Sequence, residues 1–192
     1  MVTLALACHP APHQHSAPAP ATGDGGVPCA GPLALVLRNP ASAQPPQPIL
    51  TLDAGGRVVV NAFPTSARGA TLTPDGCLVG DDGLWAELAP DGVLWTARES
   101  YAASGSCLAV GGHASVCVRP DGIVERRESD GRTEPVAGGS MAFTDNRPEA
   151  RCAALVMLGA FMSMMPSMAV SDGHPPRVPA PAGSRCTRFA RP

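Results

Sequence analysis

The sequence predicts a mainly β fold, an antiparallel meander of hairpins curled into an open sheet, roll or small barrel, with one apolar helix at its C-terminal side. Three observations carry this. A seven-residue pattern built around a tight turn recurs along the middle of the chain. Pro (22) and Gly (21) exceed a fifth of the 192 residues, which suits many turns. Residues 152–170, "CAALVMLGAFMSMMPSMAV", carry no charge.

The N-terminus comes first. "LALAC" (4–8) is a short run of small apolar residues ending on Cys8. A linker rich in Pro and Ala follows at once. The pattern resembles the lipobox of bacterial lipoproteins, whose cysteine is lipidated after signal cleavage. The resemblance covers about five residues. Ala5 and Leu6 depart from its usual Leu and small residue, and no basic residue precedes the run. A start upstream of Met1 is therefore expected. The resemblance implies a remnant signal at 1–8, lipid on Cys8, and an exported protein of the cell envelope, periplasmic or surface-facing. Its partners would be membrane lipid through that anchor and another envelope protein.

Residues 9–32 read as a disordered tether, with too little apolar surface to offset the entropy of ordering. His9, His13 and His15 have ligand-like spacing, but a metal needs a rigid frame that such a tether lacks. No metal or cofactor is expected.

Residues 33–145 carry the β-domain. "LALVL" (33–37), behind Gly31-Pro32, supplies a first strand. The turn pattern then appears as "LDAGGRV" (52–58), "LTPDGCL" (72–78), "LAPDGVL" (88–94), "VRPDGIV" (118–124) and, more weakly, "RESDGRT" (127–133). Pro presets φ at the first turn position, Asp suits the second, and Gly accepts the left-handed conformation that follows. A type I turn ending in such a Gly makes a three-residue hairpin loop. That loop pairs Leu72 with Leu78, Leu88 with Leu94, and Val118 with Val124. "GDDGL" (80–84) adds a turn, and Gly138-Gly139 precede a last strand near 140–143. The stretch is too short for the four-stranded blades of a propeller.

Strand alternation places Leu72, Leu78, Leu84, Leu88 and Leu94 on one face, the expected core. Trp85 and Trp95 fall on the other face as diagonal neighbours. They are the candidate binding patch.

The chain has seven cysteines. A lipidated Cys8 leaves 29, 77, 107, 117, 152 and 186, enough for three disulfides in an exported protein. With Gly111-Gly112-His113 as a three-residue loop, Cys107 lies opposite Cys117 at about 4.5–5.5 Å, inside the usual disulfide range; with a two-residue loop the register slips and the pair is lost. No C-x-x-C pair marks a zinc site.

The region 146–170 is expected to hold the helix, with Asp145 or Asn146 as cap and Pro148 early in it. Two placements compete. A helix over about 150–165 could cover the Leu face, or residues 152–170 could span a bilayer. Spanning would give a membrane-embedded envelope protein with an Arg-rich tail in the cytoplasm, and would strand Cys186 in a reducing compartment. Residues 171–192 read as a disordered Arg- and Pro-rich tail.

The remaining chemistry is sparse. All 14 basic residues are Arg, so Walker-type loops, Schiff-base lysines and Ser-x-x-Lys hydrolases are excluded. A net charge of −2 and 4% aromatic residues give no basis for nucleic-acid binding. Neither G-x-S-x-G nor H-E-x-x-H occurs, and Asp81-Asp82 lack the pattern of a calcium loop. A non-enzymatic structural or protein-binding role is expected, with an exported hydrolase as the remote alternative.

Overall fold

The computed structural model describes residues 28–38, 41, 43–61, 68–80, 85–136, 141–145, 147–165, 184 and 186. Among these residues, thirteen antiparallel strands form one sheet: β1 (Leu33–Leu37), β2 (Gln47–Leu52), β3 (Arg57–Val60), β4 (Arg68–Leu72), β5 (Cys77–Gly80), β6 (Trp85–Leu88), β7 (Val93–Thr96), β8 (Ser100–Ser104), β9 (Cys107–Val110), β10 (Ala114–Val118), β11 (Val124–Glu128), β12 (Thr133–Pro135) and β13 (Met141–Phe143). Neighbours in sequence are neighbours in space from β1 to β12, and β13 returns to pair with β1.

The turn pattern dictates the registers. Leu72 opposes Leu78, Leu88 opposes Leu94, and Val118 opposes Val124, as the loop chemistry requires. Each turn closes in the same way. The glycine N–H donates to the residue three before it, as from Gly76 to Thr73 and from Gly92 to Ala89. Asp91, Asp121 and Asp130 each accept a backbone N–H two residues ahead, which rigidifies their turns.

The sheet closes on itself almost completely. β12 and β13 lie one after the other along the free edge of β11. Glu125 to Arg127 pair with β12, while Ile123 bridges to Ala142 in β13. The Phe143 N–H donates to the Gly122 carbonyl at 2.9 Å. The result is a nearly closed barrel, within the range the sequence allowed.

A barrel of this many strands is too wide for its own inward side chains to fill. The helix fills it. A 3-10 turn (Pro148–Ala150) leads into α1 (Arg151–Met164). Asp145 does not cap α1: its carboxylate accepts the Arg147 N–H, and Ala150 takes the N-cap position. Asn146 lies outside the described residues.

Every residue of α1 from Ala153 to Phe161 is buried, so no face of it meets solvent. It packs against β1, β6, β7 and β9, strands on different sides of the barrel. An α-helix that is apolar all round belongs in such a core. The 14 residues rise about 21 Å, longer than the four- and five-residue strands α1 packs against, which span about 13–17 Å. No helix among the described residues is long and apolar enough to cross a membrane. The apolar run is thus the barrel's filling: the sheet wraps around the helix, which does more than cover one Leu face. Residues 166–170 of that run lie outside the described residues.

The inward row of the sheet includes Leu50, Val58, Val60, Leu78, Leu94 and Leu108, all at most 1% exposed. Leu72 is buried and Leu88 packs against the core, whereas Leu84 lies outside the described residues. At Gly159, Leu94 and Leu108 press so close to the helix that a side chain there would collide with Leu94.

Two boundaries differ from the sequence expectation. Residues 28–32, assigned to the tether, belong to the folded body. Cys29 is buried, its N–H donates to the Pro74 carbonyl, and its sulfur is bonded to Cys152 at the start of α1. Ser184 and Cys186, assigned to the disordered tail, are buried on the outside of the barrel, where Cys186 is bonded to Cys77. Composition marked both segments as unable to make a core of their own, but a covalent bond to the barrel supplies the missing contacts.

Candidate functional site

Two places on the molecule carry chemistry beyond packing. The first is the outward face of β5 to β7. Cys77 opposes Glu87, and Glu87 opposes Trp95, so the three form one row across three strands. Trp85 shares this face, two residues before Glu87. Both Trp85 and Trp95 are half-buried, and they lie on the face opposite the Leu core, as strand alternation required.

Sequence reasoning missed what sits beside them. Glu87 is 2% exposed although it points away from the core. Its carboxylate accepts a hydrogen bond from the Ser184 hydroxyl, and the Cys186 N–H approaches the same oxygen. The Cys186 sulfur bonds to Cys77, the residue facing Glu87. A point of the C-terminal region is therefore strapped over this row by one covalent bond and one buried carboxylate. An acidic residue between two outward apolar positions was the available signal, since a carboxylate is buried only with partners.

The second place is at the end of the barrel where the 119–122 turn, the 3-10 turn and the start of α1 meet. A cavity of about 270 Å³ opens there. Its apolar wall is made by buried Ala154 and Leu155 and half-buried Val118, and its mouth carries Ser106 and three exposed arginines, Arg119, Arg147 and Arg151. Asp121 engages one terminal nitrogen of Arg119 at 2.9 Å. Asp145 engages both Nε and a terminal nitrogen of Arg147, at 2.8 and 2.7 Å. That hydrogen bond and the nearby charge raise the Arg147 pKa further above its ordinary value. No carboxylate among the described residues pairs with Arg151.

Of the other expected features, Cys107 lies opposite Cys117 and the two are bonded. His113 is an exposed turn residue whose carbonyl accepts the Ser129 N–H. Cys8, the three N-terminal histidines and Asp81-Asp82 lie outside the described residues. No family model, curated protein or solved structure matches the chain.

Proposed function

We propose that the chain is an exported protein of the cell envelope, held to a membrane by lipid on Cys8, with a non-enzymatic structural or protein-binding role. The observation that carries this reading is the pairing of cysteines. Cys29–Cys152, Cys77–Cys186 and Cys107–Cys117 use six of the seven, and the remaining one is Cys8 of the lipobox-like run. Disulfides between distant segments persist in oxidising compartments and are rare in the cytosol. An odd cysteine in such a protein calls for a separate use.

The outward face with Trp85 and Trp95 is the surface proposed for an envelope protein partner, because aromatic side chains on a rigid sheet lose little entropy on binding. A non-catalytic role is supported by how the described carboxylates are engaged. Asp53, Asp91, Asp121 and Asp130 accept backbone N–H groups within their turns, and Glu87 holds the C-terminal strap.

Metabolic labelling with a tagged fatty acid tests the reading, using the gene at its native locus and a Cys8→Ser variant. Label on the wild type, absent from the variant, is the expected result. A soluble, unlabelled wild type would overturn it.

A further inference from the structure

The arginine-lined cavity has the two parts of a binding site for an amphipathic anion. Its wall is apolar, contributed by buried Ala154 and Leu155 and half-buried Val118. Its mouth carries three exposed arginines. Local charge is close to balanced at two of the arginines, since Asp121 holds Arg119 and Asp145 holds Arg147. These aspartates also orient the guanidinium groups, which keep free N–H donors, because each guanidinium has five. Arg151 has no carboxylate partner among the described residues. It begins α1, where the helix dipole adds to the positive potential. Exposed Glu149, in the 3-10 turn, adds a third carboxylate near Arg147, so the mouth is close to neutral overall and offers oriented guanidinium donors in place of a large excess of charge. That suits a singly charged carboxylate better than a phosphate dianion, and the planar guanidinium fork fits a carboxylate two-handed.

Size narrows the ligand. A volume of 270 Å³ lies below the usual range for drug-sized ligands, so the occupant is small. The frame is rigid, since two bonded elements build it. The Val118 N–H donates to the Ser106 carbonyl, and the 119–122 turn is closed by its own hydrogen bonds. The cavity is thus present before any ligand arrives.

We propose that this cavity binds a small carboxylate-headed ligand with a short apolar tail, the head held by Arg151 with Arg119 and Arg147, and the tail against Val118, Ala154 and Leu155. The site is separate from the Trp face and does not depend on lipid at Cys8.

Isothermal titration of the full chain with hexanoate tests this, with hexanol as the uncharged analogue and inorganic phosphate as a head without a tail. Hexanoate should bind saturably at one site, and more tightly than either control. Arg151→Ala should weaken it by about tenfold or more, the effect of losing a hydrogen bond to a charged group. Arg151→Lys should weaken it less, because the charge stays while the fork is lost. Arg119→Ala serves as a second variant. Both arginines are exposed, so both variants should melt like the wild type without ligand. Hexanol or phosphate binding as tightly as hexanoate would overturn the proposal. So would unchanged affinity in both alanine variants, or no saturation by about 10 mM hexanoate.

Discussion

Replacing Gly159 by Ala asks whether the helix is enclosed by the barrel. In a helix, Ala is more stable than Gly by about 1 kcal/mol. On a helix face bathed in solvent or lipid, that gain would appear in full. Inside this barrel the new methyl would lie 2.1 Å from Leu94 Cδ2 and 3.2 Å from Leu94 Cγ. Leu94 is fully buried and sits opposite Leu88, so it has little room to turn away. Overpacking of this kind costs about 1–3 kcal/mol. The net effect of Gly159→Ala is then a loss of about 1 kcal/mol. Leu94→Ala alone should cost about 2–5 kcal/mol by opening a cavity. On that background the methyl has space, and Gly159→Ala should stabilise by up to about 1 kcal/mol. The same substitution changes sign, a coupling of about 2 kcal/mol. Urea unfolding of the four oxidised proteins measures it. Stabilisation by Gly159→Ala on both backgrounds would refute the enclosed helix.

Removing Cys107–Cys117, ten residues apart, should cost about 3 kcal/mol by the chain-entropy relation, and removing Cys29–Cys152, 123 apart, about 5 kcal/mol; equal losses in urea would contradict the two loop lengths. Gly122 and Gly131 have the same left-handed φ, +84° and +85°, but a Cβ on Gly122 would meet the Phe143 carbonyl oxygen at 2.5 Å, while Gly131 has open space. Gly122→Ala should therefore lower the melting temperature clearly more than Gly131→Ala, and equal shifts would argue against closure of the barrel at Phe143. Tyr101, the chain's one tyrosine, is buried and donates a hydrogen bond to Glu99, and both effects raise its pKa well above the ordinary 10.0. The unfolded chain loses this proton first, so stability should fall as pH rises above about 10. Phenolate absorbance should stay absent until the chain unfolds; ionisation of the folded protein near its ordinary pKa would remove the argument.

What was legible in the sequence was local. Pro-Asp-Gly fixes the length of a loop, loop length fixes register, and register placed Leu72 against Leu78, while Cys107 against Cys117 rested on Gly111-Gly112-His113 forming a three-residue loop, as it does. The face of Trp85 and Trp95 followed from alternation alone. What was illegible depended on closure. Nothing near Met141–Phe143 announces a partner in Leu33–Leu37, because those residues meet only when the meander has curled through a full circuit. The same holds for Cys29–Cys152 and Cys77–Cys186, whose halves are 123 and 109 residues apart. The arginines of the cavity come from two segments that closure brings to one end. The position of the helix was open for a related reason. An uncharged run suits a bilayer and a filled barrel equally, and only the width of the ring decides between them.

That ring has a repeated bond at its base. The Gly56 carbonyl accepts the Leu72 N–H, Gly76 accepts Leu88, and Gly92 accepts Ala103. Each acceptor is the glycine of a turn, and each donor lies in or next to the following hairpin. One short cassette thus turns the chain and also ties that turn to its neighbour, so the same sequence written again extends the wall in the same sense. At Gly122 the carbonyl accepts Phe143 instead, a residue of the strand that pairs with β1. Closure therefore reuses the bond that built the wall, with the last strand in the place of a next hairpin. The chain then passes from Phe143 through the 3-10 turn into α1, entering the barrel at the end where that bond forms. Chain order couples the two events: the strand that shuts the sheet delivers the helix that fills it. A barrel this wide would be poorly packed without its filling, and the helix would expose apolar surface on every side without the barrel.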